Sequence, residues 1–492
     1  MTASGWETVV GLEVHCELRT ETKLFCGCRN AFGDEPNTNI CPVCLGLPGS
    51  LPVLNHRAVS YAIRIGTALH CRVQGSIFHR KNYFYPDMPK DYQISQYDIP
   101  INADGWLELP SGKRIGIIRA HIEEDTGKTA HIGGGGRIHE AGYSLVDYNR
   151  AGVPLVEIVS APDMRSAEEA RDYVEELRAI LVATGVSDGK MEEGSLRVDC
   201  NVSVRHEGSS DFGTRCEVKN MNSLRSLARA ISYEASRQVE VLSSGQAVAQ
   251  ETRHWDEADG RTYSMRSKEE AFDYRYFPEP DLVSLEPSPA WVEEERANLP
   301  VLPAQKRKAV AGATGAPLSS EAVATVVKLG LDDLVHAAVS EGADGALALR
   351  RLANEVAGEM AAAGGARGDG EGLRFGTAAF VGLVKLEQAG ELTSAQARSV
   401  LRVLVSEGGD PVAIAERLGF QSLGPGALAA VVDGVIAANE REWERYAGGD
   451  DKLAGFFIGK VKAATRGNAD LKAASDLLRE RRSAQGRQGG PQ

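Results

Sequence analysis

The strongest constraint on the fold is a strict alternation of apolar and polar side chains in three segments. Apolar residues alternate with Glu13, His15 and other polar residues over 9–19, and the same pattern recurs over 195–205 and 214–220. Such alternation predicts strands that are buried on one face only. The last two segments are joined by HEGSSDFG, which indicates an antiparallel hairpin. The sequence therefore predicts a sheet whose open face carries carboxylates, a histidine and basic groups.

A composition change divides the chain. Strand and turn signals dominate up to about residue 295, and beyond it Ala, Leu, Val, Glu and Arg recur with helical spacing. The proline-rich stretch 278–289 predicts a linker, and residues 408–411 predict a second break. We therefore expect an α+β fold with a sheet domain over 1–295, an all-α helical domain over 296–408 and a small helical tail over 409–492.

A helix is predicted over residues 166–184. Ser166 and Glu169 have the spacing of a capping box, and Gly185 is a typical C-terminal stop. The apolar residues between them form one helical stripe, so we expect this helix to pack on the apolar side of the sheet.

Two closely spaced cysteine pairs, Cys26 with Cys28 and Cys41 with Cys44, predict a zinc site within the loop 26–44. Two short pairs on facing turns supply the four thiolates that a tetrahedral structural zinc requires. The alternative is a set of four unrelated buried or free thiols.

The open face of the predicted sheet is rich in acidic groups. Glu13, His15, Asp199 and Glu217 lie at its polar positions, and a nearby segment adds adjacent glutamates at 123 and 124. Crowded carboxylates repel one another unless a cation or a proton neutralises them, and oxygen ligands with one imidazole suit Mg²⁺ or Mn²⁺. The alternative is that they pair with basic neighbours. The residues leave both interpretations open, and they leave open which glutamate of the Glu123–Glu124 pair faces the site. Those basic neighbours are Arg197, Arg215 and Lys219.

A phosphate-binding loop is not recognisable in the sequence. Gly127, Lys128 and Thr129 resemble the end of such a loop, but Ile122 occupies the position that requires glycine. If ATP is used, we expect it to be held by a metal on the sheet instead.

The formal net charge of −13 argues against nucleic-acid binding through the overall field. The tail is different: nine Lys or Arg face three Asp or Glu between Lys452 and Arg487, which is either a solvated basic helix or a phosphate contact. Neither a membrane span nor a signal peptide is expected, and the remaining cysteines are scattered, so we expect a cytoplasmic protein.

Several motifs together resemble the B subunits of aspartyl/glutamyl-tRNA amidotransferases (GatB). They run in order through the first 285 residues, and the tail GDDKLAGFFIGKVKAATRGNADLKAASDLL resembles the YqeY-like tail of that family. The four cysteines resemble a zinc loop found in part of the family. The motifs are GLEVH at 11–15, FHRKNYFYPDMPKDYQISQ at 78–96, HIEEDTGK at 121–128, KMEEGSLRVDCNVS at 190–203, GTRCEVKNMNS at 213–223 and DYRYFPEPDL at 273–282.

The resemblance implies a fold and an activity. The first domain would be a glutamine-synthetase-like cradle. With ATP and Mg²⁺ it would phosphorylate the side-chain carboxylate of Glu-tRNA(Gln) or Asp-tRNA(Asn), and ammonia would then displace the phosphate. An amidase A subunit would release that ammonia from glutamine, and a small C subunit would complete a heterotrimer. The chain has no amidase signature of its own, which also implies such a partner.

The resemblance also implies roles for individual residues. His15, Glu124 and Glu217 would be metal ligands, with Glu13 and Glu123 as further candidates, and Asp199 would be a catalytic group near the metal. Lys81, Lys90 and Glu124 would lie at the mouth of the ammonia path. Arg275 and the two lysines would contact the nucleotide or the acceptor end of the tRNA.

A different class of function is the alternative. A zinc-stabilised protein that binds tRNA or assists assembly, without catalysis of its own, would share the cysteines and the basic tail. The crowded carboxylates argue against it, because a binding protein has no need of them.

Overall fold

The computed structural model divides the chain into two compact units, residues 1–304 and 305–492, and each is described by itself. The described residues are 5–133, 141–267, 274–362, 373–420, 425–465, 469 and 471–488.

A mixed sheet forms the centre of the first unit. Twelve of the described strands join it in the order β13-β12-β11-β10-β1-β9-β6-β4-β3-β14, with β5 on β6 and β2 on β5, while β7 and β8 form a separate hairpin. Adjacent described strands are antiparallel except for the parallel pair β11–β12. The strands are β1 (Trp6–Glu17), β2 (Arg72–Val73), β3 (Phe78–Asn82), β4 (Tyr92–Gln96), β5 (Asn102–Glu108), β6 (Arg114–Glu124), β7 (Lys128–Ile132), β8 (Tyr143–Asp147), β9 (Pro154–Ser160), β10 (Leu196–His206), β11 (Cys216–Lys219), β12 (Glu251–Asp256), β13 (Arg261–Ser267) and β14 (Phe277–Pro278).

The alternating segments form neighbouring strands, as predicted. Strand β1 lies between β9 and β10, and its apolar residues Val10, Leu12, Val14 and Cys16 are at most 1% exposed. The hairpin between β10 and β11 is also confirmed. The polar residues of these strands consequently share the opposite face.

Helices cover the apolar face of this sheet. They are α1 (His56–Ala68), α2 (Ala167–Ala183), α3 (Leu224–Ser243) and α4 (Pro289–Ala297), and the apolar side chains of the first three join the main core. Helix α2 confirms the predicted helix: the Ser166 hydroxyl accepts a hydrogen bond from the Glu169 amide at 3.1 Å. The reciprocal bond of a capping box is replaced, because the Glu169 carboxylate accepts from the amide of Arg165.

The predicted linker at 278–289 is wrong. Phe277 and Pro278 form β14 against β3, and Leu285 pairs with Ser76. Glu279 is 2% exposed, and its carboxylate accepts bonds from Arg80 at 2.7 and 2.9 Å. The prolines lie at the ends of strands here, and the segment remains part of the first unit, which extends to residue 304.

The second unit is helical and contains two separate clusters of buried side chains. The larger spans residues 310–415, and the smaller spans 428–478. The α+β class is confirmed, while the predicted domain boundaries stay predictions. None of the described helices is both long and apolar enough to cross a bilayer. The helices are α5 (Pro303–Thr314), α6 (Glu321–Lys328), α7 (Asp332–Ser340), α8 (Gly345–Arg351), a π-helical turn (Leu352–Val356), α9 (Ala357–Ala362), α10 (Thr377–Gln388), α11 (Ser394–Glu407), α12 (Pro411–Arg417), α13 (Pro425–Ala437), α14 (Glu440–Ala447), a 3-10 turn (Asp451–Leu453), α15 (Ala454–Ala464) and α16 (Leu471–Gln488).

Candidate active site on the open face of the sheet

The register of three strands brings two imidazoles and two carboxylates together. His15 on β1 lies opposite Glu157 on β9, and Glu157 lies opposite His121 on β6. Glu123 follows His121 by two residues and so points to the same face. The open face therefore carries His15, His121, Glu123 and Glu157 as one patch.

Within this patch, His15, Glu123 and Glu157 have the geometry of a metal site. The His15 Nε2 atom lies 3.6 Å from an oxygen of each glutamate, and one ligand atom from each of the three residues lies within 4.8 Å of the others. Such spacing matches the ligand shell of a divalent cation better than it matches direct hydrogen bonds.

Burial shapes the protonation of this cluster. It raises the pKa of Glu123 to about 6, and the nearby Glu157 adds to the rise. It also lowers the pKa of His121 to about 4, so that this imidazole is neutral at pH 7. Two carboxylates beside the neutral His121 imidazole are an electron-rich set that a cation would stabilise.

A second acidic group lies at the next strands. Lys219 Nζ is 2.5 Å from Asp199 Oδ2 and 2.9 Å from Glu217 Oε1, so a lysine neutralises this pair. Glu13 lies opposite Asp199 and accepts a hydrogen bond from Asn201 at 3.0 Å, and burial raises its pKa. The pairing with Lys219 that the sequence left open is thus present here.

Arg197 pairs elsewhere. Its guanidinium is 2.7 Å from an oxygen of Asp125, a residue next to the Glu123–Glu124 pair. Among the described residues, the close metal-type set around His15 contains neither Glu124 nor Glu217.

Glu124 is separated from Glu123 by the strand itself, because consecutive residues of a strand point to opposite faces. Its carboxylate pairs with Lys90 and accepts a bond from the Ile94 amide at 2.8 Å, and it is 2% exposed. Lys90 also lies over the rings of Phe25 and Tyr92. Lys90 and Glu124 therefore form a buried ion pair beside the metal-type cluster, on the other side of β6.

Lys81 lies on the same face as Glu123. It stands opposite Gln93 on β4, two residues from the Ser95 that faces Glu123. Its ammonium lies 4.7 Å from the centre of the Tyr274 ring, and Glu123 raises its pKa although burial opposes the rise. Arg275 is exposed, and its φ of 45° is rare for a residue with a side chain.

The four cysteines of the first loop come together. One sulfur from each lies within 4.8 Å of the others, and the Cys44 sulfur accepts a bond from the Cys41 amide at 3.1 Å. A bond from Cys26 lowers the pKa of Cys44 to about 5, whereas burial raises the pKa of Cys28 to about 11. Four converging sulfurs fit a tetrahedral zinc.

Sequence reasoning missed Glu157. Strand β9 reads PLVEIVS, so it lacks the alternation that marked the other strands. Leu155 and Val159 share the open face with Glu157 by the alternation of the strand, which hides the pattern. The signal present was a single glutamate inside an apolar run, since such a residue needs a partner when it is buried.

Comparison with known proteins defines the class. The GatB/GatE catalytic domain model matches residues 8–293, which contain the sheet and its acidic face. The model of the GatB domain matches residues 333–481. The first unit is thus a catalytic domain of the GatB/GatE class.

Full-length relatives give the particular family. The chain is 51% identical over 490 residues to the aspartyl/glutamyl-tRNA(Asn/Gln) amidotransferase B subunit of Frankia casuarinae, covering 97% of this chain and 95% of the relative. It is 47% identical over 482 residues to the B subunit of the same name from Carboxydothermus hydrogenoformans, covering 97% and 98%. The corresponding B subunit of Salinispora arenicola is 49% identical over 498 residues, covering 98% and 97%. The chain belongs to the family of aspartyl/glutamyl-tRNA(Asn/Gln) amidotransferase B subunits.

Proposed function

We propose that this chain is the ligase component that converts Glu-tRNA(Gln), Asp-tRNA(Asn) or both into the corresponding amides. Family membership and the His15–Glu123–Glu157 cluster support this proposal. The same membership disfavours the alternative of a non-catalytic tRNA-binding protein. As a step of protein synthesis, the reaction would take place in the cytoplasm.

The reaction needs activation of a carboxylate, because oxide is a very poor leaving group. An oxygen of the substrate carboxylate attacks the γ-phosphorus of ATP, which gives an acyl phosphate and ADP. Ammonia then attacks the acyl carbon, phosphate leaves with the electron pair of the broken C–O bond, and the nitrogen loses a proton. The first step depends on neutralising phosphate charge more than on a protein nucleophile.

Mg²⁺, or Mn²⁺ in its place, fits the residues present. His15, Glu123 and Glu157 would hold one ion, since their donor atoms converge within 4.8 Å and two of the three are acidic. The ion would supply charge neutralisation and alignment of the phosphate oxygens. Of the ligands implied by resemblance, Glu124 and Glu217 lie outside this cluster. We therefore propose Glu123 and Glu157 as the carboxylate ligands of the ion.

The second acidic group would serve the nucleotide. Glu13, Asp199 and Glu217 would accept a further cation once Lys219 turns to a phosphate oxygen. Asp199 keeps a supporting catalytic role in this proposal. Lys219 Nζ, held 2.5 Å from Asp199 Oδ2, would then exchange one anionic partner for another.

Lys81 and Lys90 would both act near the place where carboxylate and ammonia must meet, Lys81 on the open face and Lys90 on the other side of β6. Lys81 faces the acidic cluster and would attract the acyl phosphate. The Lys90–Glu124 pair would form the mouth of the ammonia path. When a buried pair of this kind opens, it exposes two polar groups, and these can bind an arriving polar molecule such as ammonia. Arg275 is exposed beside Tyr274 and would contact the acceptor end of the tRNA.

The proposal also includes partners and a wider architecture. An amidase A subunit would supply ammonia and a small C subunit would complete a heterotrimer. The first unit would have a glutamine-synthetase-like arrangement, and the YqeY-like tail would hold the outer body of the tRNA through phosphates. The cysteine loop would carry a structural Zn²⁺.

Replacing Glu123 by Gln tests the proposal, because it removes a ligand charge and keeps the shape. In the complex with A and C subunits, we expect amide formation to fall about a hundredfold or more while tRNA affinity stays unchanged. The assay is production of Gln-tRNA(Gln) and Asn-tRNA(Asn) with ATP and ammonia, which bypasses the amidase.

Glu7→Gln is the matched control. Glu7 lies on β1, but it pairs with Arg205 and Arg165 rather than with the cluster. Normal amide formation by the Glu123 variant would contradict the assigned metal site.

A further inference from the structure

Three tyrosines form an aromatic surface at the edge of the candidate active site. Tyr97 directly follows β4, Tyr276 directly precedes β14, and Tyr274 lies two residues before Tyr276. The rings of Tyr97 and Tyr276 stack with centres 4.1 Å apart and planes 11° apart, and Tyr274 meets Tyr276 edge-on at 6.1 Å. We call this set the tyrosine shelf.

The shelf is fixed to the sheet. The Asn82 side chain donates hydrogen bonds to the carbonyls of Tyr274 at 2.9 Å and Arg275 at 2.8 Å, and the Asn82 amide donates to the same Tyr274 carbonyl at 3.0 Å. Arg275 adopts a left-handed φ of 45° between the two tyrosines. Such a conformation is strained for a residue with a side chain, and it persists where its surroundings hold it.

The shelf continues the acidic cluster. The Lys81 ammonium lies over the Tyr274 ring, 4.7 Å from its centre, and Lys81 shares the open face of the sheet with Glu123. Lys81 and Glu123 also act electrostatically on the Tyr276 hydroxyl. A ligand that lies on these rings would therefore reach Lys81 and the metal-type cluster with its other end.

The shelf is open to a ligand at Tyr97, whereas Tyr274 and Tyr276 are half-buried. Tyr97 is 53% exposed although it is stacked on its neighbour, and Phe277 beside the shelf is 43% exposed. A stack that served only the core would bury Tyr97 as well. Exposed, rigid aromatic faces next to a phosphate-handling site suit a nucleobase, because every base has a face that stacks.

We propose that the tyrosine shelf binds the adenine of the terminal adenosine of the tRNA acceptor end. The inference rests on the proposed function and adds to it a base-binding subsite. The amino acid is esterified to the ribose of that adenosine, so its carboxylate lies within one nucleotide of the adenine. Lys81 lies between the shelf and the acidic cluster, which is where that carboxylate must meet phosphate and ammonia.

The same subsite fits either substrate of the proposed reaction. tRNA(Gln) and tRNA(Asn) end in the same adenosine, so a stacking subsite accepts either. Stacking carries little sequence discrimination, and identity would be read elsewhere on the tRNA.

Tyr97→Ala in the complex with A and C subunits tests the shelf. Loss of a stacking ring should raise KM for Glu-tRNA(Gln) about five- to a hundredfold, while KM for ATP stays within about twofold. Tyr97→Phe keeps the ring and should behave as the wild type. Tyr263→Ala is the matched control, since that tyrosine is 43% exposed on β13 at the opposite edge of the sheet.

A binding measurement separates this subsite from the chemistry. Uncharged tRNA(Gln) with 2-aminopurine as its terminal base should lose fluorescence on binding the wild-type complex, because stacking quenches this base. The quenching should disappear in Tyr97→Ala and persist in Tyr97→Phe.

Unchanged quenching and unchanged KM for the tRNA in Tyr97→Ala would overturn the proposal. A rise of KM for ATP alone would also overturn it and assign the shelf to the nucleotide. A wild-type complex that quenches the terminal base but forms no amide would refute the proposed function and leave the shelf supported.

Discussion

Lys219 occupies the position of a counter-ion in the second acidic group. Its ammonium bridges Asp199 and Glu217, whose carboxylates would otherwise repel each other and the nearby Glu13. The two carboxylates raise its pKa against the effect of burial, so the lysine stays charged at any physiological pH. The strands thus hold these acids stably before any metal arrives.

Lys219→Met should therefore make the stability of the protein depend on divalent cations. Without them, we expect the free energy of unfolding to drop by about 1 kcal/mol, because Lys219 is partly exposed and solvent screens the pair. Adding Mg²⁺ should restore more stability to the variant than to the wild type. The measurement is the shift of the melting temperature on adding MgCl₂.

Lys190→Met is the control for this prediction. Lys190 pairs with Glu193 on an exposed surface, so its loss should have little effect with or without Mg²⁺. Equal Mg²⁺ shifts in the Lys219 variant and the wild type would contradict the assignment of this group as a cation site.

Single residues of the site were only partly predictable. His15 and Glu13 followed from alternation, because their strand has one apolar and one polar face. Period two indicates that Glu123 and Glu124 point to opposite faces, but it did not decide which of them faces the site or which residues they contact. Glu157 needed the order of strands, which local sequence does not encode: β9 reaches β1 across more than a hundred residues.

At the scale of elements, the segment directly after the cysteine loop packs against Lys90 of the Lys90–Glu124 pair. Gly46, just after Cys44, has φ of 66° and lies so close to Lys90 that an added Cβ would be 2.5 Å from Lys90 Cγ and 3.0 Å from its Cα. The fold of the cysteine loop and of the residues after it therefore fixes the position of the Lys90 backbone and of the aliphatic part of its side chain.

Gly46→Ala should disturb both partners. We expect a loss of about 1–3 kcal/mol in the free energy of unfolding, since the backbone conformation and the contact with Lys90 are both strained. Gly49→Ala is a matched control: φ is 83° there, but an added Cβ meets nothing within 4 Å. The Gly46 variant should also lose more amidation activity than the Gly49 variant.

Chemical denaturation gives the two unfolding free energies, and the ammonia-dependent assay gives the activities. Equal losses in both variants would show that backbone strain alone matters and that the contact with Lys90 does not.

Removing one zinc ligand tests the loop directly. Cys41→Ser should reduce bound zinc from about one per chain towards none and lower the melting temperature, because three sulfurs hold the metal weakly. Metal analysis and thermal unfolding measure the two effects. Cys71→Ser is the control, as Cys71 lies outside the cluster. A zinc content of zero in the wild type would contradict the prediction.

Regular elements were the most predictable part of the fold. Period two identified β1, β10 and β11, and a capped apolar stripe identified α2. The stretch 278–289 was misinterpreted because prolines mark edges of sheets as well as linkers. Its contacts with Arg80 and Ser76 are made by a distant segment, so no local pattern reveals them.

At the scale of the whole molecule, the second unit has two cores, and α12 belongs to the larger. Ile414 and Ala415 on this helix are 4% and 6% exposed within the cluster that contains α10 and α11. The smaller cluster begins with Leu428. A cut between residues 420 and 428 therefore separates the cores better than a cut at 409.

Truncation after residue 420 should leave the larger core intact and remove the tail that we propose holds the tRNA. We expect weaker tRNA binding with little change in ATP binding or in the melting temperature of the remaining protein. Truncation after 409 should in addition lower the melting temperature, because α12 no longer covers its neighbours.

Filter binding at several salt concentrations measures the tRNA contact, and the salt dependence should become shallower if phosphate contacts are lost. Unchanged tRNA affinity after the 420 cut would contradict a role for the tail. Three tail arginines already pair with nearby aspartates, so the free basic surface is smaller than the composition suggests.

The position of β1 has a consequence for how the protein is made. This strand is synthesised before every other described strand, yet its neighbours β9 and β10 begin only at residues 154 and 196. At a synthesis rate of about 5–20 residues per second, roughly 10–40 s pass between the synthesis of β1 and that of β10, and the apolar face of β1 stays uncovered during this time. The nascent chain thus carries an unpaired, aggregation-prone strand through much of its synthesis. We expect chaperones to bind it mainly during this interval.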